Sequence, residues 1–182
     1  MAVDWSALEQ RQPVLADLGR RRLTAPGVVL VATIRRDGTP RLRPVEPYLM
    51  DGQLLLSMLW RSRKAQDLLR DPRVLVHSII TSRDGGEGEF KVRGTARLIN
   101  DVEMQQRYAD GVARDLGWSP TIGSFHLFAI DLDYVTHIRY DDATGDQYVA
   151  IWPPANEFVR RGTSATTVGE PQPHHDLLII EE

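Results

Sequence analysis

The chain has 182 residues, 42% of them hydrophobic, enough for one domain with an ordinary core. Its formal net charge of −3 gives no overall attraction to nucleic acid or to an anionic membrane, so any basic cluster is a local device. The absence of cysteine excludes disulfides, thiol nucleophiles and cysteine zinc sites. Residues 1–5 lack the basic and apolar regions of a signal peptide, and no apolar run is long enough to span a bilayer. The expectation is a cytoplasmic protein with neither membrane nor nucleic-acid partner.

Asp4-Trp5-Ser6 starts a predicted helix to about residue 22, with Leu8, Val14, Leu15, Leu18 and Leu23 as its inner stripe and Pro13 able to divide it. Residues 28–34 are β-branched and polar only at the end, which predicts a central strand covered on both faces. Asp37-Gly38 signals a tight hairpin, and residues 40–49 are expected to return as one antiparallel strand. In that strand Arg41, Arg43 and Val45 share a face. Asp51-Gly52 turns the chain into residues 53–58, completing a three-strand meander.

The meander delivers the chain to Ser57-Met58-Leu59-Trp60-Arg61-Ser62-Arg63-Lys64, where hydroxyls and three cations sit at a strand-to-helix turn. The helix is read from Ala65, Leu68 and Leu69 on one face and from Asp71-Pro72, which closes it. Its first turn offers unpaired N–H groups and the positive end of the helix dipole, to which Ser62, Arg63 and Lys64 add directed donors. This is a predicted anion site, for which phosphate is the natural ligand.

Residues 74–80 form a further predicted strand, and residues 90–98 alternate, with Phe90, Val92, Gly94, Ala96 and Leu98 on one face and Lys91, Arg93, Thr95 and Arg97 on the other. Asn100 or Asp101 can cap a helix to about residue 116, using Val102, Met104, Tyr108, Val112 and Leu116. Strands follow at 125–140 and 147–152 around a turn at 141–146. About seven antiparallel strands with three helices inserted between them predict an α+β domain built on a closed or nearly closed β-barrel. A doubly wound parallel sheet is disfavoured, because the first strands are joined by turns too short for parallel crossovers. Residues 1–182 read as one domain, and 153–182 as an extension of it, a loop with an edge strand at 177–180.

The five histidines form no ligand pattern; His174 and His175 are neighbours that on a strand would point to opposite faces. His77, His126 and His137 fall on predicted strands and read as packed barrel residues. Ser57 and Ser62 lack a nucleophile elbow. Trp60, Trp118 and Trp152 are candidates for stacking on a ring or for packing. Residues 162–169 are glycine-flanked but lack a nucleotide-loop context, so they read as a surface loop. Arg41 and Arg43 read either as ligand donors or as a solvated strand face.

In order and spacing, the segments 28–41, 51–54 and 62–74, followed by Val92-Arg93-Gly94-Thr95-Ala96 and a helix, resemble the pyridoxamine 5'-phosphate oxidase-like family of flavin-binding split barrels. The resemblance covers about residues 23–140. It implies a homodimer with two cofactor sites at the subunit interface, each holding FMN or, as the alternative, deazaflavin coenzyme F-420. It places Arg41, Arg43, Pro44 and Val45 along the ring or ribityl chain, Ser57 and Met58 behind the ring, and Arg63 and Lys64 at the phosphate, where the anion-site reading adds Ser62. The implied function is a flavin- or deazaflavin-dependent oxidoreductase acting on a small organic substrate; the alternative is a non-catalytic module holding flavin, haem or another ligand. The deazaflavin tail would favour a longer basic groove, for which Arg61, Arg63, Lys64, Lys91, Arg93 and Arg97 are candidates. No catalytic residue and no metal ligand is assigned.

Overall fold

The computed structural model describes residues 3–175. Asp4 caps α1 (Trp5–Arg11) by accepting the Ala7 N–H at 3.1 Å. Pro13 then opens α2 (Pro13–Thr24) at a first-turn position where its missing N–H has no partner to lose. The predicted N-terminal helix is therefore two helices.

β1 (Val29–Ile34) buries Val29, Val31 and Thr33 and leaves the alternate residues half-buried, so it is covered on one face rather than two. β2 (Pro40–Val45) returns antiparallel on it, with Val45 opposite Val29. The predicted long return strand breaks at Glu46: β3 (Pro47–Met50) abandons β1 and pairs instead with β4 (Gln53–Leu59). Pro44 and Pro47 flank the break, and neither has an N–H to continue a ladder. Two hairpins thus replace the expected meander. The second closes through Asp51 and Gly52, both at positive φ (51° and 67°), as a two-residue hairpin turn requires.

The chain continues through α3 (Arg63–Arg70), β5 (Arg73–His77), β6 (Glu89–Ile99), α4 (Val102–Leu116), β7 (Phe125–Tyr140) and β8 (Gln147–Trp152). It ends in β9 (Asn156–Arg160), β10 (Gly162–Ser164), β11 (Thr167–Val168) and β12 (Gln172–Pro173). The region expected to be a loop at 162–169 contains the small β10–β11 hairpin. The predicted strand at 177–180 lies outside the described residues.

The spine is β7. One edge pairs with the whole of β6, while the other edge is divided between β4, on residues 125–130, and β8, on residues 135–140. From there the sheet runs β6-β5-β1-β2 in one direction and β8-β9-β12 in the other. β1 is next to an edge rather than central, and the described residues hold twelve strands and four helices rather than seven and three. The architecture is an antiparallel α+β split barrel.

β4 and β7 are covered on both faces. Leu54, Leu56 and Met58 join the main core with Trp5, Leu8, Phe90 and Phe128. Leu55, on the opposite face, joins Leu127 and Ala129 under Met104, Tyr108 and Val112 of α4. Ser57, on that second face, is the polar residue that opens the strand toward solvent.

Candidate functional site

Ser62 starts α3 by accepting the Ala65 N–H at 3.4 Å. The residue before it, Arg61, is held at φ 55°, a left-handed conformation unfavourable for a side chain of this size. The turn aims the next two residues to opposite sides of the helix. Arg63 lines a groove against the tip of the β1–β2 hairpin, and Lys64 lines a pocket against β2, β4 and α4.

The groove, about 630 Å³, is lined by Arg35, Arg36, Arg41, Arg63 and Arg70 with Asp37 and Asp67. Asp67 is buried and organises the inner wall: Oδ2 accepts Thr33 Oγ1 at 3.0 Å and Arg41 Nε at 2.6 Å, and Oδ1 accepts Arg70 at 3.4 Å. Burial pushes its pKa up, but the hydrogen bonds from Arg41 and Thr33 prevail and hold it below the usual value. Arg70 also donates to the Ile34 carbonyl. Among the described residues, the side chains of Arg36 and Arg63 have neither hydrogen bond nor ion pair.

The pocket, about 270 Å³, is lined by Pro44, Val45, Glu46, Ser57, Lys64 and Tyr108, with the half-exposed Trp118 and the buried Phe125. Lys64 is half-buried, and its Nζ donates to the Pro44 carbonyl at 3.4 Å. Burial, and then the nearby charge of Arg43, lower its pKa, and no carboxylate pairs with it among the described residues. The Tyr108 hydroxyl is pushed up to about 12 by burial, opposed by a hydrogen bond with Ser57. Trp118 Nε1 donates to Glu46 Oε1 at 3.3 Å, tethering an aromatic plane at the opening.

A model of the family described as pyridoxamine 5'-phosphate oxidase matches residues 16–139. The chain belongs to the pyridoxamine 5'-phosphate oxidase family. Solved structures agree on the split-barrel fold. A pyridoxamine 5'-phosphate oxidase-related, FMN-binding protein of Nostoc punctiforme superposes with a TM-score of 0.55 at 17% identity, covering 88% of this chain and 95% of that one. A haem-binding protein of Mycobacterium smegmatis gives 0.53 at 20%, covering 68% and 53%. A NimC/NimA family protein of Clostridium acetobutylicum gives 0.53 at 16%, covering 71% and 84%. No curated protein matches the chain.

On this pyridoxamine 5'-phosphate oxidase fold, the residues singled out in the sequence fall into separate places. Arg41 and Arg63 face the arginine groove, while Pro44, Val45, Ser57 and Lys64 face the pocket. Arg43, exposed on β2, acts on Lys64 through space. The Ser62 hydroxyl is engaged as the α3 cap, and the Met58 side chain is in the main core, on the face of β4 away from the pocket. The longer basic groove expected to include Lys91, Arg93 and Arg97 does not form on β6: Lys91 pairs with Glu89 at 2.6 Å, Arg93 lies over the Tyr134 ring, and Arg97 reaches Asp131 at 3.5 Å. Arg35, Arg36 and Arg70 supply the groove instead. Trp152 is core, and Trp60 is stacked on His126 with ring centroids 4.3 Å apart.

Sequence reasoning missed Asp67, Glu46 and Tyr108 as site residues. Among the described residues no group of three histidine or carboxylate side chains is placed to hold a metal ion, and no helix is long and apolar enough to cross a membrane.

Proposed function

We propose that this protein is an oxidoreductase that holds FMN, or alternatively deazaflavin F-420, across the first turn of α3 and acts on a small organic substrate at a homodimer interface. One observation carries the reading: Lys64 is half-buried at the start of a helix, and among the described residues its one hydrogen-bond partner is a carbonyl oxygen. A cation there is disfavoured by both burial and the helix dipole unless an anion joins it. A phosphate at Lys64 would supply that anion and gain a charge-assisted hydrogen bond from its Nζ.

Pro44 and Val45 of β2 would line the rest of the cofactor, with Ser57 and Tyr108 as hydroxyl donors and Trp118 as an aromatic neighbour. The flavin ring supplies the hydride chemistry. The protein's part is to seat the phosphate, orient the ring against β4 and exclude water. Leu59 and Trp60 beside this pocket are 77% and 50% exposed, an apolar surface that a second copy of the chain would cover. The fold neighbour that binds haem represents the non-catalytic alternative, but among the described residues no histidine lines either cavity.

The test is titration of apoprotein with FMN and with F-420, read by quenching of tryptophan and ring fluorescence. Binding of either should be weakened by Lys64→Ala by about 1–3 kcal/mol, the loss of a charge-assisted bond. If neither cofactor binds, the reading fails; an unchanged dissociation constant in the variant removes the phosphate from this turn.

A further inference from the structure

His126 is buried on β7 and lines neither the groove nor the pocket. It is 8% exposed, its Nε2 has no hydrogen-bond partner among the described residues, and burial alone lowers its pKa. A neutral ring protonated on Nδ1 leaves Nε2 without a hydrogen, whereas an imidazolium puts a donor there with nothing to receive it. The surroundings supply no counter-charge. Met58 is its ladder partner on β4, the Phe128 ring lies 6.2 Å away on β7, and β6 ends at Ile99, opposite Leu127. Of the charges on α3, Arg63, Asp67 and Arg70 line the groove and Lys64 lines the pocket. The charged group at the stack itself is Arg61, with its guanidinium carbon 6.0 Å from the Trp60 ring centroid.

Trp60 covers His126, with ring centroids 4.3 Å apart and planes 15° from parallel, and its backbone N–H donates to the Ser124 carbonyl at 3.3 Å. The next residue bears the consequence. Ser62 N–H donates to the Leu59 carbonyl at 3.0 Å, so residues 59–62 form a turn whose third residue, Arg61, has φ 55°. Glycine is the ordinary choice at that position of such a turn. An arginine is strained there and persists only while its surroundings over-determine it. The stack on His126 is such a constraint. The turn that it fixes delivers Ser62 to cap α3 and Lys64 to the pocket, with Leu59 on the pocket wall.

We infer that the Trp60–His126 stack is a proton-sensitive clamp on the turn between β4 and α3. With His126 neutral, the indole is seated and the turn holds its ligand-binding shape; with His126 protonated, the indole lifts and Arg61 relaxes. His126 is thus a positioning residue, acting on the ligand through the turn. An uncovered His126 titrates near the ordinary 6.5 and a seated one lower, so proton uptake favours the lifted state as pH falls below 6.5. The clamp stands on its own geometry, and its effect on binding rests on the proposed cofactor reading.

The experiment compares wild type with His126→Phe, which keeps an aromatic partner for Trp60 but takes up no proton, from about pH 7.5 to about pH 5.5. In NMR titrations of the free proteins, the Trp60 indole and Arg61 amide resonances of wild type should move together with the His126 ring, and those of the variant should stay. Circular dichroism checks folding at each pH, and the wild-type co-titration decides without the variant. Affinity for FMN or F-420 should fall in wild type by about threefold or more beyond the fall in the variant. Subtracting the variant removes the titration of the ligand phosphate, near pH 6, and of His137, which both proteins contain. The clamp is overturned if the His126 ring titrates while Trp60 and Arg61 stay fixed, or if the ring stays neutral throughout. Equal pH dependence of affinity in the two proteins overturns it as well, as does a wild-type affinity that rises on acidification relative to the variant. If neither cofactor binds at any pH, the cofactor reading fails and the resonances alone decide the clamp.

Discussion

Replacing Asp67 by asparagine tests the element on which the groove is built. The Asp67 side chain is 5% exposed and that of Arg41 13%, so solvent has little access to either charge. Exposed ion pairs contribute about 0–1 kcal/mol, whereas removing one partner of a buried pair costs about 3–5 kcal/mol, because the other charge is left uncompensated. The carboxamide of Asp67→Asn would keep the size of the side chain and could still accept from Thr33, which places the expected loss near the lower figure, about 3 kcal/mol. With a urea dependence of about 2 kcal/mol per molar, the unfolding midpoint should fall by about 1.5 M. A cycle with Arg41→Met isolates the pair: the double variant should recover about half of the loss, since the stranded guanidinium is then gone. Strictly additive changes, or an Asp67→Asn midpoint within about 0.3 M of wild type, would refute the account of a buried, charge-compensated wall. The pH dependence adds a check. Because the folded-state pKa of Asp67 is depressed, its stabilisation is present above the ordinary carboxylate value and lost as pH falls through the lower folded one. Asp67→Asn should lack that acid-side loss.

Other outcomes follow from burial elsewhere. His137 is 4% exposed, and burial, followed by the charges of Arg139 and Arg22, lowers its pKa to about 4. The unfolded chain binds the proton near 6.5, so stability should decline by on the order of 2–4 kcal/mol as pH falls from about 6.5 to about 4. His137→Gln should flatten that part of a stability-versus-pH curve, and an unchanged slope would place the titration on other groups. At Gly19 in α2, a Cβ would lie 2.2 Å from Cζ of the fully buried Phe90 ring. Although alanine favours helix by about 1 kcal/mol, Gly19→Ala should be destabilising by about 1–3 kcal/mol in a denaturant titration. A stabilised variant would show that the α2–β6 contact is looser than described.

What could be read in advance was local. Pro13, the Asp-Gly turns, the Asp101 cap and the alternation of β6 depend on neighbours within a few residues, and each appears where expected, whereas Ser62, read as a ligand donor, is engaged as the cap of α3. The break at Glu46 was hidden because Pro44 and Pro47 suit an extended edge as well as they suit its interruption. Asp67 carries no local signal; only the packing of α3 against β1 turns it toward Thr33 and Arg41. Tyr108 meets Ser57 only because α4 folds back over β4, a contact that periodicity within α4 cannot reveal.

The division of β7 between β4 and β8 bears on how the chain is made. Leu59 pairs with Phe125 and Leu54 with Ile130, so when α3, β5 and β6 have left the ribosome, β4 still has one unsatisfied edge. β6 likewise awaits its partner along its whole length, from Glu89 opposite Ile138 to Ile99 opposite Leu127. At synthesis rates of about 5–20 residues per second, the interval is a few seconds during which two apolar edges stand open on a nascent chain. A stalled or truncated product ending before residue 125 exposes both edges permanently and is the form of this protein most prone to aggregate.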